Sequence, residues 1–204
     1  MRKFAALAIA LALGASSTTA LADGNAFVNA NGGASHYSVS NPFAGIDNSF
    51  STTGKAGALR VGYRWNSVVD YGVEAGYGFL GNATARANVA GVGTERQQVQ
   101  TRGWLLGGNL NYNINEHAYI GARAGWFRAR SLFENRFLGA NSADFHFDDR
   151  AVVSRTGEYF GVGGGYNLNK NFSLGLAYDT YRAPITDSRS NRIGMYSVQA
   201  EYRF

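Results

Sequence analysis

Between residues 58 and 65 the chain alternates strictly. Leu59, Val61, Tyr63 and Trp65 fall on one parity, Ala58, Arg60, Gly62 and Arg64 on the other. After a short interruption the alternation resumes, with Tyr71, Val73, Ala75, Tyr77 and Phe79 set against Gly72, Glu74, Gly76 and Gly78. Two further pairs of segments behave alike. Trp104, Leu106, Leu110 and Tyr112 answer Ile120, Ala122, Ala124 and Trp126; Phe160, Val162 and Tyr166 answer Phe172, Leu174, Leu176 and Tyr178. A period of two with one wholly apolar parity predicts half-buried β-strands.

The segments beginning at Tyr63, Tyr112 and Tyr166 resemble one another, 49 and 54 residues apart, which marks a repeated supersecondary unit. Each reads as an aromatic-rich strand, a short polar turn with Asn and a second alternating strand, the pattern of a β-hairpin. A first strand around Phe27 to His36 and a last around Ile193 to Phe204 bring the count to eight. Three connections are tight, at Asn66–Val69, Asn113–His117 and Leu168–Asn171, and four are long, near 38–53, 81–99, 131–154 and 183–191.

A soluble sandwich would share the period of two. The opposite parity, however, is mostly Gly, Ala, Ser and Asn, a poor core but a suitable lining for a narrow barrel, and the large aromatics gather near strand ends, as interfacial girdles do. The expected fold is therefore an all-β, eight-stranded antiparallel up-and-down transmembrane barrel. Strands of about ten residues tilted by about 45° span a ~25 Å apolar band, and alternating short and long connections place the tight turns on the periplasmic side.

Composition agrees. No apolar stretch after the N-terminus approaches the ~20 residues of a membrane-spanning helix, Gly is abundant at 27, and there is no Cys. A secreted chain without disulfides needs another source of cohesion, and a closed barrel has one because every strand is bonded on both edges. Arg2 and Lys3, the apolar run Phe4 to Leu13 and Ala20-Leu21-Ala22 read as a cleaved signal peptide over residues 1–22, leaving a barrel domain over 23–204. The net charge of +5 falls to +3 without Arg2 and Lys3, too mild to argue for nucleic acid.

The chain ends Tyr196-Ser-Val-Gln-Ala-Glu-Tyr-Arg-Phe204, with Tyr196, Val198, Ala200, Tyr202 and Phe204 on one face. This resembles the terminal strand of outer-membrane β-barrels, and the chain as a whole resembles the small eight-stranded class that includes the OmpA transmembrane domain and the OmpX/Ail-type barrels. The resemblance implies residence in the Gram-negative outer membrane, recognition of the last strand by the barrel-assembly machinery, contact with outer-membrane lipid and lipopolysaccharide, and no cofactor. The periplasmic domain of full-length OmpA proteins has no counterpart in the 204 residues.

Three groups of residues are candidates for function. On the inward parity lie Arg60, Arg64, Glu74, Arg123, Asp179, Glu201 and Arg203; a three-residue first turn would set Arg60 directly across from Glu74. Opposite charges in a narrow lumen should pair, since an unpaired one is costly. They form either a structural plug or a switch gating a small pore. Secondly, Arg86, Arg96, Arg102, Arg128, Arg130, Arg136, Arg150, Arg155, Arg182, Arg189 and Arg192 gather at the outer end. Arg forms bidentate bonds to phosphate, and Arg128, Arg130, Arg155 and Arg182 are the chosen candidates for lipopolysaccharide contact. Thirdly, the 131–154 segment carries Leu132, Phe133, Phe137, Leu138, Phe145 and Phe147, a possible surface for a ligand or a set that packs on itself. Catalysis has thin support: only His146, near Asp148, Asp149 and Ser154, offers a local grouping, and no metal-ligand spacing is present.

Overall fold

The computed structural model describes residues 24–38, 48–89, 93–139, 146–184 and 190–204. The expected signal peptide, Phe145 and Arg189 lie outside these residues. Nine strands are present: β1 (Gly24–Tyr37), β2 (Asn48–Ser51), β3 (Thr53–Trp65), β4 (Asp70–Val89), β5 (Gly93–Asn113), β6 (Ala118–Gly139), β7 (His146–Asn167), β8 (Phe172–Pro184) and β9 (Ser190–Arg203).

Eight of them close a ring. Every strand pairs antiparallel with its neighbour in the order β1-β3-β4-β5-β6-β7-β8-β9, and β9 returns to β1 from Phe27↔Arg203 to Tyr37↔Ile193. The short β2 continues the line of β3 along β4, with Ser51 opposite Thr84. The eight-stranded antiparallel barrel expected from the alternation is therefore present, with β1 in register although its stretch Val28–Ala34 lacks large residues.

The three tight turns fall where expected, between β3 and β4, β5 and β6, and β7 and β8. Two of them are built alike. The Asn115 carboxamide oxygen accepts from the His117 and Ala118 amides at 2.9 and 2.7 Å. Asn169 accepts from Asn171 and Phe172 at 2.9 and 2.8 Å. An Asn side chain that satisfies its own turn backbone is the reason Asn recurs in these connections.

At the other end the expectation of long loops needs correction. Segments 81–99 and 131–154 are largely strand: β4 runs to Val89, β5 starts at Gly93, β6 runs to Gly139 and β7 starts at His146. These four strands have 20, 21, 22 and 22 residues, against 14, 13, 13 and 14 for β1, β3, β8 and β9. One side of the barrel thus rises well above the other as a sheet. A bulge between Phe79 and Asn82 re-phases β4 at the base of this extension. Gly81 occupies the left-handed region there (φ 72°), where a Cβ would be strained. The Ser35 hydroxyl donates to the Leu80 carbonyl at 2.6 Å and the Tyr37 hydroxyl to that of Gly81 at 2.9 Å, so the interrupted ladder keeps its partners.

The ring's outer wall carries the apolar parity. Trp104, Leu106, Trp126, Leu176, Tyr196 and Val198 are each more than half exposed. Aromatic contacts gather at two levels. One is near the tight turns, with Tyr63–Trp65, Trp65–Tyr71 and Tyr202–Phe204 at 5.3, 5.5 and 5.0 Å. The other is at the far end, with Tyr77–Trp104 and Tyr178–Tyr196 at 5.1 and 4.6 Å. Tyr196, Val198 and Tyr202 project outward from β9, with Ala200 on the same parity, and Phe204 follows the strand, half exposed.

Candidate functional site

The inward parity of the ring builds a layered, filled lumen. Near the tight-turn end, Arg64 donates to both Glu201 carboxylate oxygens at 2.8 and 3.2 Å and lies over the Phe27 ring, 4.5 Å from its centroid. Arg64 Nε also donates to Asn109, whose amide donates to Glu74. Deeper in, Arg60 lies between Glu74 (Nε–Oε1 3.4 Å) and Asp179 (Nη2–Oδ2 3.7 Å). Arg123 grips Asp179 with two bonds, at 2.6 and 2.8 Å. Three cations and three anions of the expected set therefore balance. Arg60 and Asp179 are 0% exposed.

Above the ions stands a second layer that the sequence reading did not anticipate. Tyr37, Leu80, Leu105, Phe127, Tyr159, Tyr181, Ile193 and Met195 are buried in one cluster. The Tyr159 hydroxyl donates to Glu74 Oε1 at 2.7 Å, and Arg60 Nη2 donates to the Tyr181 hydroxyl at 2.9 Å. Each tyrosine thus presents its apolar ring to the outer half and its hydroxyl to the charges, which satisfies both layers with the same side chains. The glycines of the inward parity give these side chains their volume. A Cβ at Gly161 would collide with Asp179 Oδ1 and lie 2.9 Å from Arg123 Nε, and one at Gly103 would lie 2.8 Å from the Phe127 ring. Asn31, Tyr119 and Gln199 complete the polar layer, with Arg60 donating to Asn31 at 2.6 Å and Gln199 to Tyr119 at 3.0 Å. The signal for all of them was their position on the inward parity, read there only for charge.

Two lumen expectations are corrected. Arg60 lies opposite Gly76, and Glu74 opposite Gly62, because five residues (66–70) separate the last paired residues Trp65 and Tyr71, not the three of the expected turn. The ions meet diagonally across the strand pair instead. Arg203 stays outside the ion network, its Nη2 donating to Asn167 Oδ1 at 2.9 Å beside the tight turns.

The outer wall has its own arrangement of charge. Immediately beyond the far aromatic level, Arg102 lies directly opposite Arg130, and Arg128 directly opposite Trp104. All three arginines are exposed, and among the described residues none makes an ion pair. Arg182 lies opposite Arg192 on the next flank, with Glu158 3.5 Å away. Like charges set directly across a strand pair repel, so the arrangement calls for an anion from outside. Of the four expected phosphate ligands, Arg128, Arg130 and Arg182 stand on this wall; Arg155 shares the inward parity with Gly157 and Tyr159, away from the belt. Arg102 and Arg192 also belong to the belt. Farther out, Arg136 and Arg150 are committed to Asp148 and Glu134 at 3.3 Å.

Of the aromatics of 131–154, Phe133, Phe137 and Phe147 are held in the extended sheet: Phe137 pairs with Phe147, and Phe133 with Val99 and Ala151. The grouping around His146 is not assembled. Residues 146 and 154 lie on one strand, about 26 Å apart at ~3.3 Å per residue, and Asp148 and Asp149 point to opposite faces. No group of three or more metal-ligating side chains occurs among the described residues.

A family model described as "Outer membrane protein beta-barrel domain" matches residues 8–204. Among solved structures, the attachment invasion locus protein Ail of Yersinia pestis, in complex with the heparin analogue sucrose octasulfate, superposes with a TM-score of 0.51 at 15% identity, covering 89% of this chain and 99% of that one. The N-terminal barrel of Pseudomonas aeruginosa OprF gives 0.48 at 12% identity over 90% and 100% of the two chains. OprG of the same organism gives 0.48 at 11% over 90% and 97%. At such identities the likeness is one of fold. No curated protein sequence matches the chain.

Proposed function

Because the chain belongs to the outer-membrane β-barrel domain family and resides in the outer membrane, we propose that it is a closed, non-enzymatic barrel that works through its outer surface. The observation that carries this reading is the filled lumen: Arg60, Asp179, Phe127 and Tyr181 are each wholly buried in the ionic and aromatic layers. Such a plug gives the wall a rigid interior and leaves ligand contact to the outer rim. The alternative of a small pore with a charged lumen finds little room: the cavity lined by Phe27, Arg64, Glu74, Arg123 and Glu201 holds about 30 Å³.

At the rim, Arg102, Arg128 and Arg130 are the groups best placed to hold lipopolysaccharide phosphates. They sit just above the aromatic girdle, at the level where the apolar wall ends, and a phosphate between Arg102 and Arg130 would relieve their mutual repulsion. Tyr196 to Phe204 serve as the assembly signal for the barrel-assembly machinery, and the long strands of the 131–154 region present the surface available to an adhesive ligand.

The arginine reading is tested with the refolded chain in vesicles containing lipid A or dephosphorylated lipid A. Phosphorylated lipid A should raise the thermal unfolding midpoint, and Arg102→Ser/Arg128→Ser/Arg130→Ser should abolish that rise while leaving the midpoint in phosphatidylcholine unchanged. Sucrose octasulfate, the polyanion in the Yersinia structure, is a soluble competitor for the same contacts. Equal stabilisation of the triple variant and the native chain would refute the assignment.

A further inference from the structure

The two edges of β7 differ. β6 pairs with it along its whole length, from Ala118↔Tyr166 to Leu138↔His146. β8 pairs only from Tyr159 to Asn167 and ends at Pro184. A Cβ at Gly157 would strike the Arg182 carbonyl, so β8 still abuts β7 there. Beyond it, from Phe147 to Thr156, no strand among the described residues pairs with the second edge, and nearly every residue is exposed. Such an edge presents a row of amide donors and acceptors ready for another strand. Pro and Gly, which would blunt it, are absent from this stretch, and Ala151-Val152-Val153 at its centre favours β pairing.

The charges along the edge select the partner. In an antiparallel pairing of this strand with its own copy about Val152, Ala151 faces Val153 and Asp149 faces Arg155, each pair occurring twice. Arg150 then faces Ser154, and Asp148 faces Thr156. Shifting the centre to Asp149, Arg150 or Arg155 sets like charges against each other; centring on Ala151 or Val153 brings no opposite charges together, and centring on Ser154 sets Arg150 only against Glu158, past Gly157, where β8 abuts β7. Asp149 makes no ion pair among the described residues, whereas Asp148 and Arg150 lie on the other face and are engaged with Arg136 and Glu134.

We propose that the open outer edge of β7 is a self-recognition surface, which pairs antiparallel with the same edge of a second copy anchored in an opposing membrane. The opposing membrane follows from symmetry. A two-fold axis relating antiparallel strands is perpendicular to them, whereas two barrels in one membrane can share only an axis along its normal. Strands tilted by roughly 35–45° cannot satisfy both conditions. Across two facing membranes the axis lies in the membrane plane, and the rising strands meet as antiparallel partners.

The test uses the refolded chain in phosphatidylcholine vesicles, with clustering followed by light scattering and folding checked by the gel shift of unheated samples. Native vesicles should cluster. Asp149→Arg and Arg155→Asp each place like charges in both flanking pairs, so vesicles of either variant alone should stay dispersed. An equal mixture of the two restores both pairs as opposite charges and should cluster to the native extent. Dispersed native vesicles, clustering by either folded variant alone, or a mixture that stays dispersed would each overturn the proposal. None of these results bears on the lumen or the arginine belt, which conductance and lipid A stabilisation test separately.

Discussion

The lower and upper halves of β6 show one strand solving two different problems. Below the arginine belt it sends Ile120, Ala122, Ala124 and Trp126 outward and Gly121, Arg123 and Gly125 inward, so the apolar parity faces out. Above it, Arg128, Arg130, Glu134 and Arg136 point outward while Phe127, Ala129, Phe133 and Phe137 face inward. The period of two continues through the boundary, but its polarity inverts within one turn of the pleat. The wall's solvent changes from hydrocarbon to water there, and each half places its apolar side chains away from water. The inversion locates the outer limit of the apolar band at Trp104, Trp126 and Arg128 without reference to loop lengths.

The sharpest way to break the lower half is through its buried ions. Asp179→Ala removes the ion-pair partner of Arg123 and one of the two of Arg60, and should cost ~3–5 kcal/mol, the range for an orphaned buried charge. Urea unfolding in phosphatidylcholine vesicles, with the folded fraction read from unheated gels, measures it. A loss below about 1 kcal/mol would mean that water already reaches the network.

Next comes the polarity inversion itself. Leu176, 68% exposed on the lower wall, should lose ~2–4 kcal/mol when changed to Arg, as a charge facing hydrocarbon does. Val152, 49% exposed on the upper sheet, should tolerate the same change within about 0.5 kcal/mol, as water-facing sites do. Equal costs would erase the boundary drawn between the halves. A smaller effect, ~1–3 kcal/mol from overpacking, is expected for Gly161→Ala, whose Cβ would collide with Asp179 and crowd Arg123. The same assay should show it.

This inversion also explains what the sequence made legible. In the lower half the apolar parity is unbroken and the glycines alternate with it, so strands, tight turns and the ring of eight could be read directly. Arg60, Arg64, Glu74, Arg123, Asp179 and Glu201 could be assigned to the lumen from parity alone. In the upper half, outward charges such as Arg128, Arg130 and Glu134 interrupt the pattern, and the stretch reads as polar loop although its strands continue. The bulge at Gly81 adds a change of phase that no alternation rule carries across. The aromatic plug was hidden for a related reason. Phe127, Tyr159 and Tyr181 lie on the parity that is small elsewhere, and a large side chain there signals filled space only once the facing glycines Gly103, Gly107 and Gly125 are known to lie across from it.

The central claim, a sealed lumen, is tested most directly by single-channel recording of refolded residues 23–204 in a planar bilayer, with Glu74→Gln measured beside it. The ionic layer under its aromatic cap predicts a silent membrane for both proteins while gel shift confirms folded barrels. Reproducible conductance steps in the native chain, altered by Glu74→Gln, would contradict the seal and make the Arg60–Glu74–Asp179 layer a gate.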